Sequence, residues 1–281
     1  MSRVGLPLVF VAVGCLCGCF SFSAMSRAIP FPRSKSKDVA LEPDTVFMDI
    51  APITVPLGDH RVNEDIWTAI DEQVIPSRQR RLLQHNGFRV GLATGGSAPA
   101  ELRQLLTNKK TNPQPYQARR RVGNPAVVTL AKEVPKWDFG MRFEDRTETR
   151  EFRRVVGQLA VVPLLENETA VHLQCIPQVE FDDPEKWSRI NPRLALAVQG
   201  QRSTETFDFL KFDIILGEND FLVIGCRLDA VDSLAARLFL TPDPDWPVQR
   251  LLAIRAGSPK KKTALPNPSA TASLAAQAAA P

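Results

Sequence analysis

Apolar and polar positions change rhythm several times along the chain, and each rhythm names an element. Val46–Val55 alternates imperfectly and is rich in β-branched side chains, which predicts a strand whose Pro52 suits an edge. Asn63 offers an N-cap to 64–74, where Ile66, Ile70 and Val74 recur at i, i+4 and i+8 beside Trp67, the spacing of an amphipathic helix. Pro76-Ser77 restarts a second helix through Leu82 and Leu83, and Asn86-Gly87 supplies its left-handed stop before a strand at Phe88–Ala93. Ser97-Ala98-Pro99 then caps a short third helix with Leu102, Leu105 and Leu106 on one face.

Beyond Thr107 the pattern loosens. Residues 107–124 hold Lys109, Lys110, two prolines and the run Arg119-Arg120-Arg121, which reads as a basic connecting loop. Ala126–Leu130 and Trp137–Phe143 read as two strands, followed by Gln158–Leu165, Val171–Phe181, Arg193–Val198, Leu210–Leu216, Phe221–Leu228 and Gln249–Ile254. The fold class is therefore α+β: an N-terminal α+β unit over 42–106, the basic linker 107–124, and a β-rich domain over 125–256. A spacer of Ser, Arg, Lys and Pro at 25–41 and an Ala/Pro/Lys tail at 257–281 lack apolar periodicity and are expected to be disordered.

The start of the chain carries a different signal. Arg3 precedes the uncharged apolar run Val4–Gly14, and no further charge follows before Arg27, which is the layout of an export signal over 1–24. Within it, Leu16-Cys17-Gly18-Cys19 and Ala12-Val13-Gly14-Cys15 each resemble the lipobox of bacterial lipoproteins. That resemblance implies a lipid on Cys19 or Cys15 and a membrane anchor; Cys17 inside the first frame and Ala12 in place of leucine in the second depart from the pattern. Cleavage after Ser23 or Ala24, or an uncleaved span from Val4 to Met25, remain open alternatives.

Composition narrows the classes of function. The 281 residues are 44% hydrophobic with 35 basic against 31 acidic side chains, a balance of +4 that is too mild to demand nucleic acid. Tyr116 is the single tyrosine, so platforms for stacking bases are scarce. The arginine run is expected to be a solvated surface or an anionic contact, with lipid headgroups favoured over nucleic acid.

The search for chemistry returns little. His60, His85 and His172 share no metal-ligand or catalytic spacing, and neither a cofactor nor an enzymatic activity is expected. Thr94-Gly95-Gly96-Ser97 sits between a strand and a helix, where a phosphate loop would sit, but lacks the Walker lysine. The loop 91–97 is therefore the basis of an alternative, a periplasmic ligand-binding protein or enzyme. Acidic pairs such as Asp182-Asp183 flank prolines and read as turns. Cys175 and Cys226 are candidates for a disulfide if their strands lie side by side, with buried free thiols as the other outcome.

Three pieces of the β-rich half stand in a telling order: Leu159-Ala160-Val161-Val162-Pro163, then Val171–Val179 with Pro177, then Phe212–Gly225 with its polar turn Gly217-Glu218-Asn219-Asp220 before Leu222-Val223-Ile224-Gly225. This resembles the C-terminal domain of secretins, the outer-membrane gates of type II and type III secretion systems. Their pattern is a proline-ended strand, a hairpin into a second proline-marked strand, and a later hairpin whose polar turn leads into an apolar strand. Cys226 stands where that family commonly repeats glycine, and long alternating pore-lining strands are not evident, so the resemblance implies a secretin-like β module and not a pore. Together these readings describe a non-enzymatic, membrane-tethered envelope protein facing the periplasm. Its partners would be the membrane and either other envelope proteins or further copies, in a structural or interaction role associated with a secretion-type assembly.

Overall fold

The computed structural model describes residues 44–94, 98–165, 170–182, 202–241 and 245–257. The export segment, the spacer, all but the first residue of the tail, and the strand expected at Arg193–Val198 lie outside the described residues.

Eleven strands are described: β1 (Thr45–Pro56), β2 (Phe88–Ala93), β3 (Tyr116–Arg121), β4 (Ala126–Arg142), β5 (Thr147–Leu165), β6 (Val171–Phe181), β7 (Ser203–Thr206), β8 (Phe212–Leu216), β9 (Phe221–Cys226), β10 (Leu240–Thr241) and β11 (Val248–Gly257). The helices are α1 (His60–Asn63), α2 (Ser77–His85), α3 (Ala100–Thr107) and α4 (Leu234–Phe239). The first sheet has the order β2-β9-β11-β1-β3, with β10 also on β11; the second runs β4-β5-β6-β7, with β8 also on β6. Every named pairing is antiparallel.

The imperfect alternation of β1 has a packing cause. Val46, Met48 and Ile50 point from one face into a core shared with the second sheet. Ala51, Ile53 and Val55 point from the other face into a smaller core under α1 and α3. The buried face thus switches midway along one unbroken strand. Pro52 lies beyond the end of β3, which pairs only with Thr45–Ile50. Thr54 N donates to Thr111 O at 2.7 Å on that same side, and two residues back the proline nitrogen faces it too, where no strand asks for a donor. The proline therefore sits at a local edge, as the sequence suggested, although β1 as a whole is interior.

β9 is buried at all six positions: Phe221 and Val223 enter the smaller core, and Leu222, Ile224 and Cys226 the larger one. An apolar run without alternation is the expected pattern for a strand covered on both faces. The strand also corrects the expected topology. β8 pairs with β6 in the second sheet, and β9 pairs with β2 and β11 in the first, so the turn at 217–220 crosses between sheets and closes no hairpin. Asn219 takes φ 71° there, and Asp220 accepts the Gly217 N–H at 2.9 Å.

The composition-based division at 107–124 does not divide the sheets. β1 and β2, both from 42–106, do not pair with each other; β9 and β11 from the C-terminal half join them. The residues expected to be a loop include β3, whose register with β1 runs Thr45 to Arg121 through Ile50 to Tyr116. Only Ala118 of β3 is buried, so an edge strand of mostly polar residues shows no apolar period.

The amphipathic helix expected over 64–74 is also corrected. Asp59, not Asn63, caps α1, and two 3-10 turns at Asp65–Ala69 and Glu72–Val74 follow. They are separated because Asp71 exchanges both backbone hydrogen bonds with Leu92, at 2.8 and 3.0 Å, which requires extended backbone there. Ile66 and Ile70 are nonetheless buried, and Arg89 binds the turns by reaching Glu72 Oε1 at 2.8 Å and Asn63 O at 2.8 Å.

In the second sheet the two strands expected at 126–143 are one strand of 17 residues, β4, which with the 19-residue β5 forms a long hairpin. Register shifts between Thr129 and Ala131 and between Ala131 and Val134 insert bulges, and these hid the continuity. Long strands are thus present where the sequence showed none. The missing element was α4. Ser233 caps it by accepting the Ala236 N–H at 3.2 Å, and Leu234, Ala235, Ala236, Leu238 and Phe239 are buried in contact with both sheets.

Candidate functional site

Cys15 and Cys19 lie outside the described residues. Cys175, on β6, and Cys226, on β9, belong to different sheets, and the disulfide weighed for them is not formed: both are free, buried thiols. Burial pushes the Cys226 thiol up to about 12 and raises that of Cys175 well above the ordinary thiol range. At neutral pH both are protonated and poorly nucleophilic. Mass mapping after maleimide treatment without reductant will find both unlabelled in the native protein and labelled after unfolding. Rapid native labelling, or no labelling of the unfolded chain, would contradict this.

The glycine-rich loop is only partly described. Gly91 lies within β2, and an added Cβ there would stand 2.5 Å from Ile70 Cγ2 and 2.9 Å from Asp71 O. Close packing of the Asp71–Leu92 bridge accounts for that glycine without a ligand. His172 points to the outer face of the second sheet, with Nε2 3.1 Å from Asp213 Oδ1, and His60 lies between Glu64 and Asp65 at 2.9 and 2.8 Å. Those two carboxylates raise the His60 pKa, Asp65 most through its hydrogen bond. His85 ends α2 on the surface, where a cation suits the helix C-terminus. Among the described residues no three metal-ligating side chains converge. Asp182 pairs with Arg154 at 3.2 Å rather than with a second carboxylate.

A groove of about 530 Å³ lies between the start of α2 and the β4–β5 turn. Phe143 and Phe209 floor it with ring centroids 4.5 Å apart, and Arg78 and Glu144 pair across its rim. Neither cysteine nor histidine lines it.

The extended surfaces of the second sheet are more informative. Its inner face is buried against the first sheet and α4, while its outer face mixes polar residues with the half-exposed Val127 and Ile215. Among the described strands β4 forms one border and pairs with β5 alone, and β8 and β7 form the other and pair with β6 alone. At the end of β4, Gly140 N donates to Asp232 O at 2.8 Å, and the Arg142 backbone binds Asn86, so that end of the border is covered. From Ala126 to Leu130 no described strand pairs with the outer side of β4. Lys132, Glu133, Pro135 and the bulges blunt the following stretch, devices that limit edge pairing to the regularly paired Ala126–Thr129 segment.

Arg119, Arg120 and Arg121 are exposed on β3, the edge of the first sheet. The Arg119 guanidinium lies 4.9 Å over the Phe47 ring, and Arg120 donates to Pro125 O at 3.1 Å and Arg119 O at 2.9 Å. Asp49, opposite Gln117 on the same pair of strands, is taken up by Arg255 at 2.6 Å and by Gln117 at 2.8 Å.

No family model and no curated protein matches the chain. Among solved structures it is similar to the InvG secretin domain β-barrel of the Salmonella SPI-1 injectisome, at 8% identity and TM-score 0.17, covering 83% of this chain and 66% of that one. It is also similar to the type II secretion system secretin GspD of E. coli K12, at 13% identity and TM-score 0.18, covering 83% of this chain and 50% of that one. The chain thus spans two thirds or less of these proteins. Both are distant, low-identity resemblances to secretin β domains, and both sheets described here are open. No helix of the described residues is long and apolar enough to cross a membrane.

Proposed function

We propose that this chain is a non-enzymatic structural module of a bacterial cell envelope, held to a membrane by its N-terminal segment and assembling through the second sheet within a secretion-type complex. One observation carries the assembly reading: among the described residues the second sheet has an open strand edge at each border, that of β4 on one side and that of β8 on the other. Unpaired N–H and C=O groups favour a further strand. Joining β4 of one copy to β8 of the next is a head-to-tail contact, which closes into a ring or continues as a filament. The apolar run Val4–Gly14 and its two lipobox-like frames support the tether.

Substituting Val127→Lys and Thr129→Lys tests the edge, because both side chains are exposed and the fold does not need them. Full-length protein in detergent is expected to form a defined oligomer by light scattering, and the double variant to run as a monomer with unchanged circular dichroism. A monomeric wild type, or a variant of unaltered oligomer size, would remove the edge from the account.

A further inference from the structure

We infer that the exposed edge of the first sheet, Tyr116 with Arg119, Arg120 and Arg121, docks the folded body onto a membrane surface bearing anionic headgroups. The inference rests on the tether proposed for the same chain and names the surface that the tethered body presents.

Topology supplies the first argument. Phe47 stands opposite Gly257 in the β1–β11 register, so the described chain enters and leaves the first sheet at one corner. β3 ends at that corner: Thr45 stands opposite Arg121, and Val122 N donates to Asp44 O at 2.9 Å. The arginine row therefore lies at the root of the N-terminal segment, the part of the body that a membrane anchor holds closest to the bilayer.

Charge and shape supply the second. No described carboxylate forms an ion pair with Arg119 or Arg120, and Asp49 is occupied by Arg255 and Gln117. Because side chains alternate along a strand, Arg119 and Arg121 leave one face of the sheet and Arg120 the other. All three side chains are exposed to solvent, with the Arg119 guanidinium over Phe47 and that of Arg120 on Pro125 O and Arg119 O. An exposed strand edge carrying basic side chains on both of its faces offers an extended layer of phosphates several contacts along its length. Arginine binds phosphate through a planar fork of donors, and each basic group near an anionic membrane strengthens attachment. Tyr116, 42% exposed on the same strand, has the apolar body and polar tip that suit the headgroup region.

The test uses full-length protein and two vesicle types, phosphatidylcholine alone and phosphatidylcholine with phosphatidylglycerol. Binding to neutral vesicles reports the tether, and the ratio of anionic to neutral partitioning reports the arginine edge. Replacing Arg119, Arg120 and Arg121 with alanine is expected to lower that ratio by about fivefold per arginine at low salt while leaving neutral binding unchanged. A control that removes the same charge elsewhere, Arg81→Ala with Arg153→Ala and Lys211→Ala, is expected to keep most of it. Equal ratios for wild type and the β3 variant, or an equal fall in the control, would overturn the inference. So would single-stranded RNA that displaces wild type, but not the β3 variant, from anionic vesicles, since the edge would then be a nucleic-acid contact. Loss of neutral binding alone, with the arginine-dependent ratio intact, counts against the tether and leaves the docking edge standing.

Discussion

Replacing Asn86 with alanine is expected to lower the unfolding free energy by about 3 to 4 kcal/mol, a third or more of what a domain of this kind commonly has. Asn86 is fully buried, and its side chain imitates a strand partner. Oδ1 accepts the Arg142 N–H at 2.9 Å, while Nδ2 donates to Arg142 O at 2.7 Å and to Leu82 O at 3.0 Å. Its backbone carbonyl accepts from Ala235 N at 3.2 Å. One residue thus joins the end of α2, the border of β4 and the start of α4. Alanine would leave a donor and two carbonyls without that partner where Asn86 itself has no solvent exposure, and a buried unsatisfied group costs about 1 to 3 kcal/mol. Urea titration should show a lower midpoint with an unchanged slope, and hydrogen exchange should show faster exchange at Arg142. A loss below about 0.5 kcal/mol would mean that water reaches the site or that the sheets dock without this link.

Asn86 also shows what the sequence did and did not disclose. Asn86-Gly87 was legible as a helix stop, and Gly87 does take φ +81°, where L side chains are strained. The second reason for that glycine is invisible in sequence: an added Cβ would lie 2.0 Å from Ser233 Oγ, 146 positions further along. Local punctuation made α2, β2 and β6 legible. Each has its boundary residues within a few positions, so nothing distant is needed to place it.

What failed to show depends on distant partners. The stretch 64–74 has a helical period, yet Asp71 is drawn into extended backbone by Leu92. β3 carries arginines rather than alternating apolar residues because it borders solvent. α4 is buried nearly all round, so it has no polar face and no amphipathic period. The pairing of β1 with β11 joins residues about 200 positions apart, and composition therefore drew a boundary through a shared sheet. The same holds for the candidate surfaces. The arginine run was legible as a basic surface, but its place beside the points where the chain enters and leaves the first sheet was not.

Gly157→Ala is the second change expected to have a large effect, about 2 to 3 kcal/mol, and its cause is space alone. Gly157 lies in β5 opposite Val179, where a glycine ordinarily weakens a strand and alanine would stabilise by restricting the unfolded chain. Here an added Cβ would stand 2.4 Å from Trp137 Cη2 and 2.5 Å from Leu238 Cδ2. Trp137 is 6% exposed and Leu238 is fully buried on α4, the helix that contacts both sheets, so neither has room to withdraw. The overpacking penalty therefore outweighs the entropic gain. A double-mutant cycle separates this from any general intolerance of the strand: Leu238→Ala removes one of the two clashing groups, so Gly157→Ala should cost measurably less in that background than in wild type. Equal costs in both backgrounds would show that Leu238 yields freely. The missing side chain at 157 would then not be what lets α4 seat against the second sheet.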